Sequence, residues 1–221
     1  MFLERPATAR VVPFAAYVFF LGISGLLFSN ESPHGQWLYG VKIAVVVLTL
    51  WIFRRSYTEL RRNELPSPME WLLAMSMGIV VFVLWINLDQ PWALLGTPKP
   101  FNALHPNGDI NVPLVIIRWI GAALVVPVME ELFWRSFLLR WIQRQDFWNI
   151  KPAEVTLKSS LIVAALFGAE HNLWFAGIVA GLAYNWLYIR TGKLWVPIVA
   201  HAVTNGVLGI WVLETRNWQF W

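Results

Sequence analysis

The sequence predicts an all-α protein, a polytopic transmembrane helical bundle of about seven to eight spans that forms a single integral membrane domain over residues 1–221. Two observations carry this expectation. Of 221 residues, 57% are hydrophobic and 14% charged, about half the charge of an average soluble domain. Seven mostly apolar windows, at 11–29, 37–53, 69–88, 113–134, 157–173, 174–190 and 194–214, are each about 20 residues long. At about 1.5 Å per residue, a helix of that length crosses about 30 Å of hydrocarbon.

The first window follows Arg5 and Arg10 as the core of a signal peptide would. It is too long for one and lacks a small-residue cleavage pattern, so it reads as a helix. The second, third and seventh are framed by Trp37 and Trp51, Trp71 and Trp85, and Trp195 and Trp211, drawn from 15 tryptophans, as expected of interfacial aromatic belts. Between the third and fourth, Pro91 to Pro113 carries five prolines, Gly96, Gly108 and the Asn107-Gly108 turn signal, an extracytoplasmic loop that dips into the interface. Pro127 in the fourth window and Pro197 in the seventh predict two helix kinks. Gly177 and Gly181 in the sixth form a small-residue face, for which internal packing is the first expectation and dimerisation the second.

Basic residues set the orientation. Thirteen of the 17 Lys and Arg fall on alternate connections: Arg5 and Arg10; Arg54, Arg55, Arg61 and Arg62; Arg135, Arg140, Arg144, Lys151 and Lys158; Arg190 and Lys193. Lys42, Lys99, Arg118 and Arg216 fall on the other side, so the N-terminus is expected in the cytoplasm. The +4 net charge forms no contiguous stripe, which argues against nucleic acid as a partner. The chain has no cysteine, which excludes disulfides, thiolate metal sites and a Cys nucleophile.

Ionisable groups within hydrocarbon cost at least about 2.5 kcal/mol each on insertion scales and are candidates for function. They are Glu130, Glu131 and Arg135 on the fourth span, Glu170 and His171 near the end of the fifth, and His201 with Asn205 on the seventh. Lys42, Arg118 and Glu70 lie near span ends, can snorkel, and receive no role. Glu131 and Arg135 form an i, i+4 pair with the acid first, the favoured orientation. Glu130 is turned about 100° away and has no local partner, as suits a base that takes a proton from water. His201 and Asn205 share a helix face at the same spacing, as do Phe167 and His171. Counted from the basic ends of their spans, the four groups Glu130, His171, His201 and Asn205 lie roughly 12–20 Å deep and can meet in one cavity, expected to open toward the cytoplasm.

Three motifs then coincide: Glu-Glu-x-x-x-Arg at Glu130 to Arg135, Phe-x-x-x-His at Phe167 to His171, and His-x-x-x-Asn at His201 to Asn205. In this order they resemble the CAAX protease and bacteriocin-processing family of glutamate-type intramembrane proteases, over a catalytic core of about 113–214. The resemblance implies that Glu130, assisted by His171, activates water against a peptide carbonyl. It implies that His201 and Asn205 form the oxyanion hole and that Glu131 and Arg135 position the site, with no cofactor and no metal. Phe133 to Trp141 is similar to the exosortase-associated bacterial branch, which implies the bacterial inner membrane. The implied partners are a peptide or protein substrate at the membrane and membrane lipid; oligomeric state is not implied.

Other readings remain open on the residues. Glu130, His171 and His201 offer a carboxylate and two imidazoles to zinc, although the His-Glu-x-x-His helix of common metalloproteases is missing. Gly22-Ile23-Ser24-Gly25 resembles a rhomboid nucleophile motif but stands on the first span. A non-catalytic scaffold or immunity-type protein, and a transporter using the polar residues as an ion path, complete the alternatives.

Overall fold

In the computed structural model the described residues are 5–27, 33–97, 100, 101, 103–105 and 107–221. They form seven helices: α1 (Arg5–Leu27), α2 (Pro33–Phe53), α3 (Pro68–Asn87), α4 (Val112–Trp141), α5 (Leu157–Ala169), α6 (Trp174–Thr191) and α7 (Trp195–Thr215). No strand occurs among the described residues, beyond an isolated bridge of Leu104 with Ile110 around the Asn107-Gly108 turn. The bundle is therefore all-helical, as the composition requires. Lys99, Pro98 and Pro106, and the last residues of the first window, lie outside the described residues.

α1, α2, α3, α4 and α7 are long and apolar enough to cross a membrane. α5 departs from expectation, because its 13 residues rise only about 20 Å. The apolar run continues to residue 173 but the helix does not. The His171 amide turns to Gly168 O at 3.0 Å, and its ring Nδ1 takes the Phe167 carbonyl at 2.7 Å. The ring thus satisfies the acceptor that another helical turn would have used.

Caps fix the other ends. Ser67 begins α3 with a capping box to Glu70 and Pro68 in the first turn, Thr156 caps α5 through the Ser159 amide, and Gly192 closes α6 at φ +72°. α4 is one continuous rod in which π-helical turns at Gly121–Val125 and Leu132–Leu138 flank Val126–Glu131. Pro127 follows the first π-turn, where the missing N–H costs no regular bond. Pro197 corrects the second expected kink: it lies in the first turn of α7, where a proline breaks nothing.

α5 packs on α6, α3 on α7 and α1 on α2. Gly177 and Gly181 serve the first contact, since an added Cβ would stand 2.8 Å from Gly168 Cα and 3.0 Å from Ala164 Cα. The shared core holds Leu132, Trp134, Phe167, Tyr184, Leu187 and Ile198. Outward faces carry exposed apolar side chains such as Phe19, Leu48, Ile52, Leu72 and Ile79, a surface suited to lipid tails. The molecule is an integral membrane protein.

Ion pairs gather the basic connections on one face. Arg10 at the start of α1 and Arg140 at the end of α4 both reach Glu59 between α2 and α3, at 2.6 and 3.3 Å. Lys193, between α6 and α7, bonds Glu70 at 2.9 Å and Leu65 O at 3.2 Å. At the opposite face, Leu95 and Asn172 exchange hydrogen bonds of 2.7 and 2.8 Å, and the Phe101 amide donates to Trp221 O at 3.0 Å.

Candidate active site

Glu130 and Glu131 are adjacent on the short α-helical stretch between the two π-turns, both buried. Their surroundings differ as the helical period demands. Glu131 Oε1 accepts from Arg135 Nη1 at 3.0 Å and from His201 Nδ1 at 2.9 Å. Arg135, fully buried, also donates to Asn185 Oδ1 at 3.1 Å and Gly181 O at 3.2 Å. Its guanidinium lies 4.6 Å from the Phe167 ring centre and 5.3 Å from that of Tyr184. Arg135 is thus an interior group, not one of the loop charges that fix orientation. Glu130 Oε2 is buried without a hydrogen-bond partner; the nearest cationic candidate, His201 Nε2, stands 4.0 Å away, beyond hydrogen-bond range.

The two histidines carry different protonation constraints. His171 donates Nδ1–H to a carbonyl, which has no proton to return, so its Nε2 is the free acceptor in the neutral ring. His201 directs Nδ1 to the Glu131 carboxylate and Nε2 toward Glu130. It can donate from Nε2 only when both ring nitrogens are protonated. Tyr184 stacks on the His201 ring at 5.0 Å and donates to Thr204 Oγ1 at 2.9 Å. Asn205 Nδ2 donates to Ala122 O at 2.9 Å, inside the first π-turn, where the altered ladder leaves carbonyls to share. One amide N–H of Asn205 is left for another acceptor.

Glu130, His171, His201 and Asn205 all line one cavity of about 200 Å³, with Arg118, Tyr184 and Thr204. It continues into a wider one of about 400 Å³ bounded by Phe20, Ser24, Tyr39, Lys42, Glu170 and Trp221, with Tyr39, Trp85, Arg118, His171, Phe220 and Trp221 common to both. This corrects the expected direction of opening. The wall residues come from the late turns of α1 and α3, the early turns of α2 and α4, and the α5–α6 bend, all at the end away from the basic face. His171 is also not a helical residue: it sits in that bend beyond Ala169.

Several residues passed over in the sequence belong here. Trp85, assigned to an aromatic belt, turns inward, its ring centre 5.2 Å from that of His171 and the two rings nearly perpendicular. Lys42 does not snorkel; it is 5% exposed and stacks on Tyr17 and Tyr39 at 4.0 and 4.7 Å. Asn185, fully buried between Arg135 and Ser160, carried the available signal of an amide within an apolar run. Glu170 lines the wider cavity only. Among the described residues no three His, Cys, Asp or Glu side chains converge to hold a metal, so the ligand set of the zinc reading is not gathered. Ser24 lines the cavity mouth, and an added Cβ on either flanking glycine, Gly22 or Gly25, would meet open space.

Residues 112–207 match the family model described as type II CAAX prenyl endopeptidase Rce1-like. The chain is 30% identical over 114 residues to "Putative membrane peptidase YdiL" of Bacillus subtilis, covering 48% of this chain and 41% of that protein. It is also 30% identical over 132 residues to "Uncharacterized protein YyaK" of the same organism, covering 52% and 42%. The alignments thus span about two fifths of the length of these relatives. No solved structure matches.

Proposed function

We propose, from the match of residues 112–207 to the Rce1-like family, that the chain is a glutamate-type intramembrane endopeptidase that hydrolyses a peptide bond of a membrane-associated substrate. The observation that carries the reading is the buried Glu130 carboxylate, whose Oε2 has no hydrogen-bond partner, in a cavity also lined by His171, His201 and Asn205. Glu130 takes a proton from water, which His171 Nε2 helps to orient. The hydroxide adds to the peptide carbonyl carbon. The resulting oxyanion accepts hydrogen bonds from the remaining Asn205 amide N–H and from Nε2–H of a doubly protonated His201. Collapse breaks the C–N bond, and the proton on Glu130 passes to the leaving amine. Glu131 holds Nδ1–H of His201, and Arg135 holds Glu131.

Positive-inside bias supports a cytoplasmic basic face and N-terminus in a bacterial inner membrane. The cavity then opens toward the outer leaflet. The test compares membrane-protein termini in native cells carrying wild type or Glu130→Gln at matched abundance. A protease loses a defined set of termini. Loss of function with every terminus unchanged refutes peptide cleavage and favours transport, while retained function favours a scaffold.

A further inference from the structure

His171 lies in the four-residue bend 170–173 between α5 and α6, where no helical ladder fixes the backbone on both sides. Its ring is held by the Phe167 carbonyl, 2.7 Å from Nδ1, and by the rings of Phe167 and Trp85, with centres at 4.8 and 5.2 Å. Its amide is tied back to Gly168 O at 3.0 Å. Apart from Trp85, these partners belong to α5. None of them fixes the chain that leaves His171 toward α6.

Asn172 supplies that restraint. Its carbonyl accepts the Leu95 amide at 2.7 Å, and its Nδ2 donates to the Leu95 carbonyl at 2.8 Å. One hydrogen bond would leave the bend free to pivot, whereas a pair to the backbone of a single residue sets its orientation as well. Two residues on, Trp174 Nε1 donates to Trp92 O at 3.2 Å, so the segment that follows α3 grips the bend twice. That segment is itself anchored: its short turn Pro91–Ala93 closes on Gln90 O at 2.8 Å, with Ala93 fully buried.

Two structural roles would explain the Asn172 contact without reference to His171, and neither fits. Asn is among the best residues for capping a helix N-terminus, and α6 begins two residues later, yet among the described residues α6 has no side-chain cap. The amide is turned instead to a residue 77 positions away. Burial does not force the contact either, since Asn172 is exposed and lines the cavity mouth, where water can satisfy its polar groups. A contact that neither caps its helix nor relieves a buried group adds little to stability. What it fixes is the place of the residue before it.

We propose that Asn172 is a positioning residue: by clamping the bend to Leu95 it holds His171 Nε2 where it orients the water that Glu130 deprotonates. This assignment rests on reading the cavity as a peptidase site, and it makes the segment after α3 part of the construction of that site.

The experiment uses the full chain in phosphatidylcholine vesicles with a pool of synthetic membrane-anchored peptides. Misplacing a group of this kind by about 1 Å costs about a hundredfold, so Asn172→Ala should lower kcat by about tenfold to a hundredfold. KM and the thermal unfolding midpoint should hold. Asn172→Asp, nearly isosteric but without the Nδ2–H donor, should be impaired in the same way. In a His171→Ala background, adding Asn172→Ala should change the residual kcat by less than about twofold, because a residue that acts through His171 has nothing left to position. A readout independent of turnover is the reaction of each histidine with diethyl pyrocarbonate, resolved by peptide mass: His171 should react faster in Asn172→Ala while His201 keeps its rate.

Wild-type kcat in Asn172→Ala, or a loss that multiplies in full with that of His171→Ala, overturns the proposal. So does a loss of kcat that comes with earlier unfolding and unchanged His171 labelling, since Asn172 would then be a structural residue only. Faster labelling of His171 in Asn172→Ala, with no peptide cleaved by the wild type, would keep the clamp and sink the peptidase reading. Cleavage that depends on Glu130 and is untouched in Asn172→Ala would do the reverse.

Discussion

Glu131→Gln separates the work of the two adjacent carboxylates. Glu131 Oε1 serves Arg135 at 3.0 Å and His201 Nδ1 at 2.9 Å, with both the acid and the arginine fully buried. Removing one charge of a buried pair costs about 3–5 kcal/mol. Here the lower end applies, because Arg135 keeps Asn185 Oδ1 and Gly181 O and the glutamine carbonyl can still accept one hydrogen bond. About 3 kcal/mol of destabilisation should appear as earlier thermal unfolding in detergent micelles, followed by the fluorescence of the 15 tryptophans. The catalytic effect should be larger. Without an anion at Nδ1 the imidazolium of His201 loses its compensating charge, and Nε2 no longer donates to the oxyanion. Loss of one such donor costs about 10²–10³ in kcat. KM should hold, because the donor acts only once the oxyanion forms. Asn205→Ala should show a similar loss of kcat with a smaller effect on unfolding. If Glu131→Gln unfolds earlier yet cleaves within about threefold of wild type, while Asn205→Ala is impaired, His201 is not an oxyanion donor and the pairing of roles is wrong.

Sidedness can be read with single cysteines, since the chain contains none: a membrane-impermeant maleimide should label Ser24→Cys or Gln219→Cys at the cavity mouth from outside intact cells and Arg61→Cys only after lysis, and the opposite pattern would reverse the assigned orientation. Burial pushes the Glu59 carboxyl up, but Arg10 and the hydrogen bonds from Arg10 and Ser136 outweigh it and hold it below the usual carboxylate range. Its contribution to stability should be complete above about pH 4.3 and fade as pH falls through the lower folded value; Glu59→Gln should flatten that limb of the unfolding-temperature profile. Gly78→Ala should destabilise by about 1–3 kcal/mol, because the new Cβ would stand 2.5 Å from Ala200 O and 2.8 Å from Val203 Cβ and drive α3 from α7. Gly22→Ala, with nothing within 4 Å, should leave the unfolding midpoint unchanged or slightly raised, and an equal loss in both variants would contradict the packing argument.

Hydrophobic run length and charge placement are properties of local sequence, so they settle the helical class, the seven segments and the gathering of basic connections. The i, i+4 spacing of Glu131 with Arg135 is equally local, and the single bond at 3.0 Å follows from it. Local spacing also leaves Glu130 unpaired. Yet the partner of Glu131 on α7, the tie from Asn205 to Ala122 and the stacking of Tyr184 on His201 join residues 17 to 83 positions apart. No periodicity in one segment encodes the rotation of another. The end of α5 was hidden for a related reason, since an apolar run continues through the point where the His171 ring takes over a backbone acceptor. Trp85 and Lys42 were misread because position along a span does not say which face looks inward. The direction in which the cavity opens is likewise a tertiary property, set by where seven helices and the ends of their connections leave space between them.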